Sequence, residues 1–414
     1  MANDFLNVKT SANRIEAFGD LRLSTLSYLT SSIHQVATMA RYPDVVLDFR
    51  NISSITHSVM PPLASYLRRL LRDDAIDFQM IEPRDRFVRS KIVDWGLAHY
   101  IEHRRFPKPP ANSSNPALIQ FLEHKDREIA VDKVLNSALR TGKLERQHIA
   151  ALEWAVNEIT DNVITHSMSK VGGFLISHRI SRSNIIEFTV ADSGIGVSKS
   201  LSIKDECEAV EMAIQEGVTR NKKTNQGNGL FGTYRLALAS SGIFVLKSLH
   251  GNLFVEKDGA MHVRNEIVPY NGTFIVCQID CDRPDLIEKA FVFNGKNHVP
   301  GFDYIDKVHG DSEKKLTVNA REICKTFGSR HSGIEARQYV NNLILSLEGG
   351  SIEIDFSDIS VISSSFADEL FGKLFLELGP MRFMKLLGVS NAHPTIEGLI
   401  DRAIRLRTQT GLGE

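Results

Sequence analysis

One short pattern occurs twice, and it limits the architecture more than any other feature of the chain. Leu47-Asp48-Phe49-Arg50-Asn51-Ile52-Ser53 returns as Ile354-Asp355-Phe356-Ser357-Asp358-Ile359-Ser360, from position 47 to position 354, an offset of 307. The match continues through Ile55 and Ile362, Ser58 and Ser365, Leu63 and Leu370. In both copies an apolar run of strand length passes a Ser-containing turn and enters a helical pattern. Two copies of one strand–turn–helix unit therefore flank a different middle region. At 414 residues the chain exceeds one ordinary core, so two or three domains are expected.

The elements around each copy agree. After a short polar lead, Leu21 to Met39 reads as helix and Val45 to Phe49 as a buried strand. A helix is expected from Pro61 or Pro62 to about Leu71, since proline suits a first helical turn. Ile76 to Ile81 reads as strand and Arg84 to Glu102 as helix. Around the second copy the order is a helix from Gly333 to Leu347, a strand from Ser351 to Phe356 and a helix from Phe366 to Leu378. A strand from Phe383 to Val389 and a helix from Thr395 to Leu406 complete it. Alternating strands and helices make each flank a small α/β domain.

The middle region reads differently. Helical pattern runs from Ala117 to about His166 with a break near Gly142. Strands are expected at Gly173 to Arg179, Ile185 to Ala191, Ile243 to Leu249, Leu253 to Lys257 and Gly272 to Ile279, with a lid-like helical region at Ser198 to Glu216. Helices followed by a largely antiparallel sheet point to a two-layer α/β sandwich. The boundaries expected are an α/β domain at 1–105, a Pro/Ser-rich linker at 106–116, the middle domain at 117–283, a connector at 284–312 and a last α/β domain at 313–414.

Composition excludes several classes. Apolar residues are 42% and charged residues 24%, as in globular chains, and the formal net charge of −1 gives no field toward nucleic acid or membrane. No apolar run approaches the roughly 20 residues of a membrane span. Residues 1–10 lack a basic-then-apolar signal, so a cytoplasmic protein is expected. Cys207, Cys277, Cys281 and Cys324 are few and scattered without zinc spacing, which fits reduced thiols.

The chemistry concentrates in the middle. Leu152, Val156, Ile159 and Val163 form one apolar helix face, and Glu158, Asn162 and His166, four apart, form a polar stripe at its edge. Asp161 points to water. A carboxylate and an amide beside a buried face need partners, from neighbouring backbone or from a ligand. Asp192 ends a strand and is followed by Ser193, Gly194, Ile195 and Gly196. Such glycines let backbone approach a flat ligand, and Asp192 could accept from an exocyclic amine; the same residues also make an ordinary turn. Gln226 to Thr233 contains Gly227 and Gly229 and opens a helix, where free N–H groups suit phosphate, and Lys222 and Lys223 precede it. Gly272-Thr273 begins a strand.

The order Glu158-x-x-x-Asn162, Asp192-x-Gly194-x-Gly196, Gly227-x-Gly229-Leu230 and Gly272-Thr273 resembles the GHKL ATP-binding superfamily over roughly residues 118–283, closest to its anti-sigma-factor serine kinases. The resemblance implies the GHKL (Bergerat) ATP-binding fold, with ATP and Mg²⁺ as cofactors. It implies that Asn162 ligates Mg²⁺ and that Glu158 acts as the base. It also implies that Asp192 reads the adenine amine with help from Thr273, that Gly194 and Gly196 admit the base, and that Gly227 and Gly229 wrap the phosphates. His166 would lie near the phosphate end or be structural. One departure is that Phe231 stands where many members have glycine, with Gly232 after it.

The flanks resemble STAS domains, the fold of anti-sigma-factor antagonists. Their phospho-acceptor slot falls on Ser364, although Ser363 replaces the usual preceding aspartate; the alternative is that Ser363 to Ser365 only cap the next helix. His57 holds that slot in the first copy.

The expected function is a Mg-ATP-dependent switch or serine-kinase-like regulator acting on a protein partner, itself STAS-like or a sigma-factor regulator. The competing reading is a slow or non-hydrolysing ATP-gated scaffold, and a homodimer is left open. A histidine kinase is weaker, because Arg146-Gln147-His148-Ile149 lacks an acidic residue after the histidine.

Overall fold

The computed structural model describes residues 6–109, 117–180, 183–218, 228–283, 285–293, 295–297, 304, 315–347 and 350–410. The chain forms two compact units, one of Met1–Val134 with Trp154–Val299, the other of Leu135–Glu153 with Pro300–Glu414.

The first unit begins with strands the sequence did not announce. β1 (Leu6–Ser11) and β2 (Arg14–Leu21) form an antiparallel hairpin where a polar lead was expected. β2 then pairs in parallel with β3 (Asp44–Ile55), and β3 with β4 (Asp77–Ile81). β3 carries the first repeat copy and runs on to Ile55, so the expected turn after Phe49 is strand. Val45, Leu47 and Phe49 are fully buried. Asp48 is buried among them and bonded by Arg14 and Arg50. Burial opposes its charge, but the two guanidinium groups outweigh that and hold the carboxyl below its ordinary value.

α1 (Leu23–His34) and α2 (Met60–Asp73) follow β2 and β3. Pro61 and Pro62 lie in the first turn of α2, where a missing N–H costs nothing. The helix expected from Arg84 to Glu102 is two helices, α3 (Arg86–Asp94) and α4 (Leu97–Ile101), because Gly96 at φ +92° turns the chain between them.

The middle sheet has the order β5-β6-β7-β9-β8 and is antiparallel throughout. Its strands are β5 (Ile119–Phe121), β6 (Gly173–Arg179), β7 (Ile185–Asp192), β8 (Phe244–Val255) and β9 (Met261–Asp280). β5 occupies residues expected to be helical. β8 is one strand, not two, bent at Leu249, where φ is +53°. The helices are α5 (His124–Leu139), α6 (Arg146–His166), α7 (Val197–Leu201), α8 (Glu206–Ala213), α9 (Gly229–Ala239) and α10 (Leu286–Ala290), and a short hairpin joins β10 (Val292–Phe293) to β11 (Lys296–Asn297).

The two faces of this sheet have different neighbours. Phe174, Ile176, Ala191, Phe274 and Val276 belong to one continuous core with Leu29, Ile33, Leu63 and Leu67 of α1 and α2. The β1–β4 layer therefore covers one face of the middle sheet. His57 is held at that junction between the rings of Trp95 and His178, at 3.6 Å from each. Burial first, then the facing His178 and Lys91, push the His57 imidazole down to about 2, so it is neutral. The opposite face presents Phe188, Phe244 and Cys277 and packs on α9, where Tyr234 meets Phe244 edge-on at 5.8 Å.

In the second unit β12 (Lys315–Asn319), β13 (Ser351–Asp355) and β14 (Leu387–Ser390) form a parallel sheet with β13 central. β13 carries the second repeat copy and occupies the same central place as β3 between parallel neighbours. The helix after it runs through Ser364–Ala367, a π-helical segment Asp368–Gly372 and Lys373–Leu378. Residues 383–386 were expected in a strand but are helical, in Pro380–Leu386. Gly379 at φ +74° and Pro380 start a helix there, and a short apolar run alone cannot tell strand from buried helix.

Asn342, on the helix Arg330–Ser346, is fully buried and clamps a turn. Its amide accepts from the N–H of Leu144 at 2.9 Å and donates to the carbonyls of Leu139 at 2.9 Å and Gly142 at 3.0 Å. Asn342→Leu keeps the volume and leaves three backbone groups unpaired. It should lower the unfolding free energy by about 3 kcal/mol, given about 1–3 kcal/mol per buried unpaired group. A urea midpoint equal to wild type would remove the clamp from the account.

Candidate functional site

α6 supplies the first part of the site. Leu152, Val156, Ile159 and Val163 are buried, and Glu158 and Asn162 lie half-buried beside them. Glu158 reaches the first residue of α9, close enough that a Cβ at Gly229 would collide with its carboxylate. Burial, then the Asp161 charge, raises the Glu158 carboxyl above its ordinary value, while Arg127 works the other way. Arg127 itself bonds the Asn157 side chain at 3.0 Å. Among the described residues neither the Glu158 carboxylate nor the Asn162 amide has a hydrogen-bond partner. His166 is the last residue of α6 and half-buried.

The second part lies at the end of the sheet. Asp192 closes β7 and is 4% exposed. Its Oδ1 accepts from the N–H of Gly194 at 2.7 Å. Burial pushes its carboxyl up to about 7, against the backbone bonds from Gly194 and Thr273. Thr273 pairs with Asp192 across β9, and Ser248 of β8 pairs with Thr273. Paired residues share a face, so Asp192, Thr273 and Ser248 stand in one row across three strands, on the face that packs on α9.

Ser248 is the residue that motif reading missed. Its hydroxyl lies 3.1 Å from that of Thr273, contacts the Gly272 carbonyl at 3.0 Å and accepts from the Val197 N–H at 2.8 Å. Only its strand spacing after Phe244 and Leu246 could have marked it. It joins the Thr273 strand to the chain just after Gly196.

Each glycine of the loop is required sterically. A Cβ at Gly194 would collide with the Ser167 carbonyl, which accepts from Ile195 N–H at 2.8 Å. Gly196 has φ +79° and sits against Ser248 and Leu249, and Gly272 has φ +129° against the Asp192 carbonyl. Gly194→Ala should therefore displace the Asp192 loop from the end of α6. Because the clash at Gly194 is with backbone, the urea midpoint should fall, and an adenine nucleotide of the kind the resemblance implies should bind the folded variant at least tenfold more weakly, the order of one lost charged hydrogen bond. Unchanged affinity would mean the loop's seating does not matter for the ligand.

The third part is the start of α9, with Asn228 before it accepting from Gly217 N–H at 3.3 Å. Gly227, Lys222 and Lys223 lie outside the described residues. The departure at Phe231-Gly232 has a structural reason. Gly232 lies directly against the Trp154 indole, and Phe231 and Trp154 both meet Phe293 of β10. The glycine thus admits an aromatic cluster under α9.

In the second unit Ser363 is the helix N-cap, accepting from Phe366 N–H at 3.1 Å, and its hydroxyl lies 3.0 Å from that of Ser365. Capping is thus done by Ser363, and Ser364 is exposed beside it.

All four cysteines are free. Among the described residues no group of three or more His, Cys, Asp or Glu could hold a metal ion, and no helix is long and apolar enough to cross a membrane. Residues 337–397 match a family model described as a STAS-like domain of unknown function (DUF4325). A STAS-like domain is therefore present, and it contains β13, the second repeat copy. No curated protein matches the chain.

Proposed function

We propose that this protein is a Mg-ATP-dependent switch of the serine-kinase-like type, with a GHKL nucleotide domain in the first unit and STAS-like domains that carry its state to a protein partner. The observation that carries the reading is the row Asp192–Thr273–Ser248, approached by glycines and set beside a helix whose Glu158 and Asn162 lack hydrogen-bond partners among the described residues. A buried carboxylate held by two backbone N–H groups is a strong acceptor for an exocyclic amine. Asn162 would hold Mg²⁺ through its carbonyl oxygen, and a metal–triphosphate ion fits a site with few anionic ligands of its own, since phosphate and water supply the rest. Bound there, the triphosphate supplies the transferable phosphoryl group. Glu158, whose carboxyl is made more basic by burial, would accept the proton of the attacking hydroxyl. Gly229 brings backbone N–H groups at the start of α9 to the phosphate end.

Exposed Ser364 is the acceptor within this chain, and a serine on a partner is the alternative destination. Calorimetry with Mg-ATP tests binding, and intact-mass spectrometry after incubation tests transfer. Heat with a one-to-one stoichiometry is expected. No heat on folded protein would remove the nucleotide reading, and binding without added phosphate on chain or partner would remove the kinase.

A second reading is a non-hydrolysing ATP-gated scaffold. It is favoured by the aromatic cluster of Trp154, Phe231 and Phe293, which ties α9 down where a mobile lid would need freedom. The same oligomer distribution with and without ATP would rule it out.

A further inference from the structure

Helix α2 reaches the candidate site from behind. Tyr270 lies on β9, two positions before Gly272, and is 5% exposed. Its hydroxyl lies 3.1 Å from the carbonyl of Asp192 and 3.3 Å from the carbonyl of Pro62 on α2. The hydroxyls of Ser65 on α2 and of Ser193 are 2.8 Å apart and sit beside the same phenol oxygen. Burial and the Asp192 charge both push the phenol far above its usual range, so it remains a donor.

A buried phenol needs a partner wherever it lies, and one carbonyl would take its single O–H. More is present here. One contact is the backbone of the residue whose carboxylate faces the site, and another is the residue after it. Both remaining contacts come from one turn of α2. The same carboxylate is braced in front by Gly194 N–H. The loop is thus gripped from both sides, and one grip belongs to the layer carrying the first repeat copy.

We propose that Tyr270 is a positioning residue that ties α2 to Asp192, so that the seating of the β1–β4 layer sets how well the site takes an adenine ring. This rests on the nucleotide reading given above. Buried hydroxyl networks of this kind fix direction as well as energy.

The test is calorimetric affinity for Mg-ATP and Mg-ITP, whose base carries a carbonyl in place of the amine. The variants are Tyr270→Phe, Ser65→Ala, Asp192→Asn and the double variant Tyr270→Phe/Asp192→Asn, each with its urea midpoint. Tyr270→Phe should weaken ATP about fivefold, the order of one hydrogen bond, and leave ITP nearly unchanged. Ser65→Ala should do the same to a smaller degree. In the Asp192→Asn background Tyr270→Phe should have no further effect. Equal losses for ATP and ITP would reduce Tyr270 to a structural residue, and an unchanged ATP affinity would overturn the proposal while leaving the nucleotide reading intact. A folded wild type that binds neither nucleotide would end both.

Discussion

Asn162→Ala should abolish measurable Mg-ATP binding, whereas Glu158→Ala should keep binding and lose turnover. The two residues sit one turn apart on α6, both half-buried and both without a hydrogen-bond partner among the described residues. Their chemistry separates them. Asn162 presents a neutral carbonyl oxygen suited to a hard cation, and losing a metal ligand should cost at least about 100-fold in affinity, the upper end seen even for outer-shell partners. Glu158 presents a carboxylate whose ordinary value is raised by burial and by Asp161, which suits proton acceptance. Removing a general base costs about 10²–10⁴-fold in rate. The carboxylate also presses on Gly229, so its removal should leave or slightly improve binding. Equal affinities for wild type and Asn162→Ala would refute the assignment of the metal ligand.

Mg-ATP affinity should rise about tenfold between pH 6 and pH 8, and the step should be missing in Asp192→Asn. Burial sets the Asp192 carboxyl at about 7, so one unit below that value roughly a tenth of the chains carry the charge and one unit above roughly nine-tenths do. Only the ionised form is the strong acceptor for an amine, so binding below pH 7 releases a proton. ATP titrates in the same range, but equally for both proteins, so the difference between them is the readout. The sign for stability is opposite. The raised value means the folded chain holds a proton that the unfolded chain releases. As pH rises from the ordinary carboxylate range to about 7, this group therefore lowers the stability of the ligand-free protein. The same pH profile in wild type and in Asp192→Asn would show that Asp192 does not face the ligand.

What could be read from the chain follows the range of the signal. β6 and β7 came out within one residue because their apolar runs are bounded by Gly173 and by the turn at Ser183-Asn184. α2 was legible from Pro61 and Pro62. The β1–β2 hairpin was not, because β1 buries only Leu6 and is otherwise a polar edge. β8 read as two strands because the bend at Leu249 left no local mark. Gly194, Gly196 and Gly272 were visible because close backbone contacts or a positive φ admit few other residues there, and Asp192 by its place just before the first two. Ser248 and Tyr270 are ordinary strand residues. Register alone puts Ser248 in a row with Asp192, and a helix about 200 residues earlier gives Tyr270 its second carbonyl, so no local pattern contains either fact.

The chain has two tryptophans, and each sits at a joint. Trp95 stacks on His57 where the first layer meets the sheet, and Trp154 lies under Gly232 of α9. Each single-tryptophan protein is therefore a separate optical gauge. Stopped-flow emission from the two would time α9 and the layer contact independently, and would say which of them answers first when a ligand arrives.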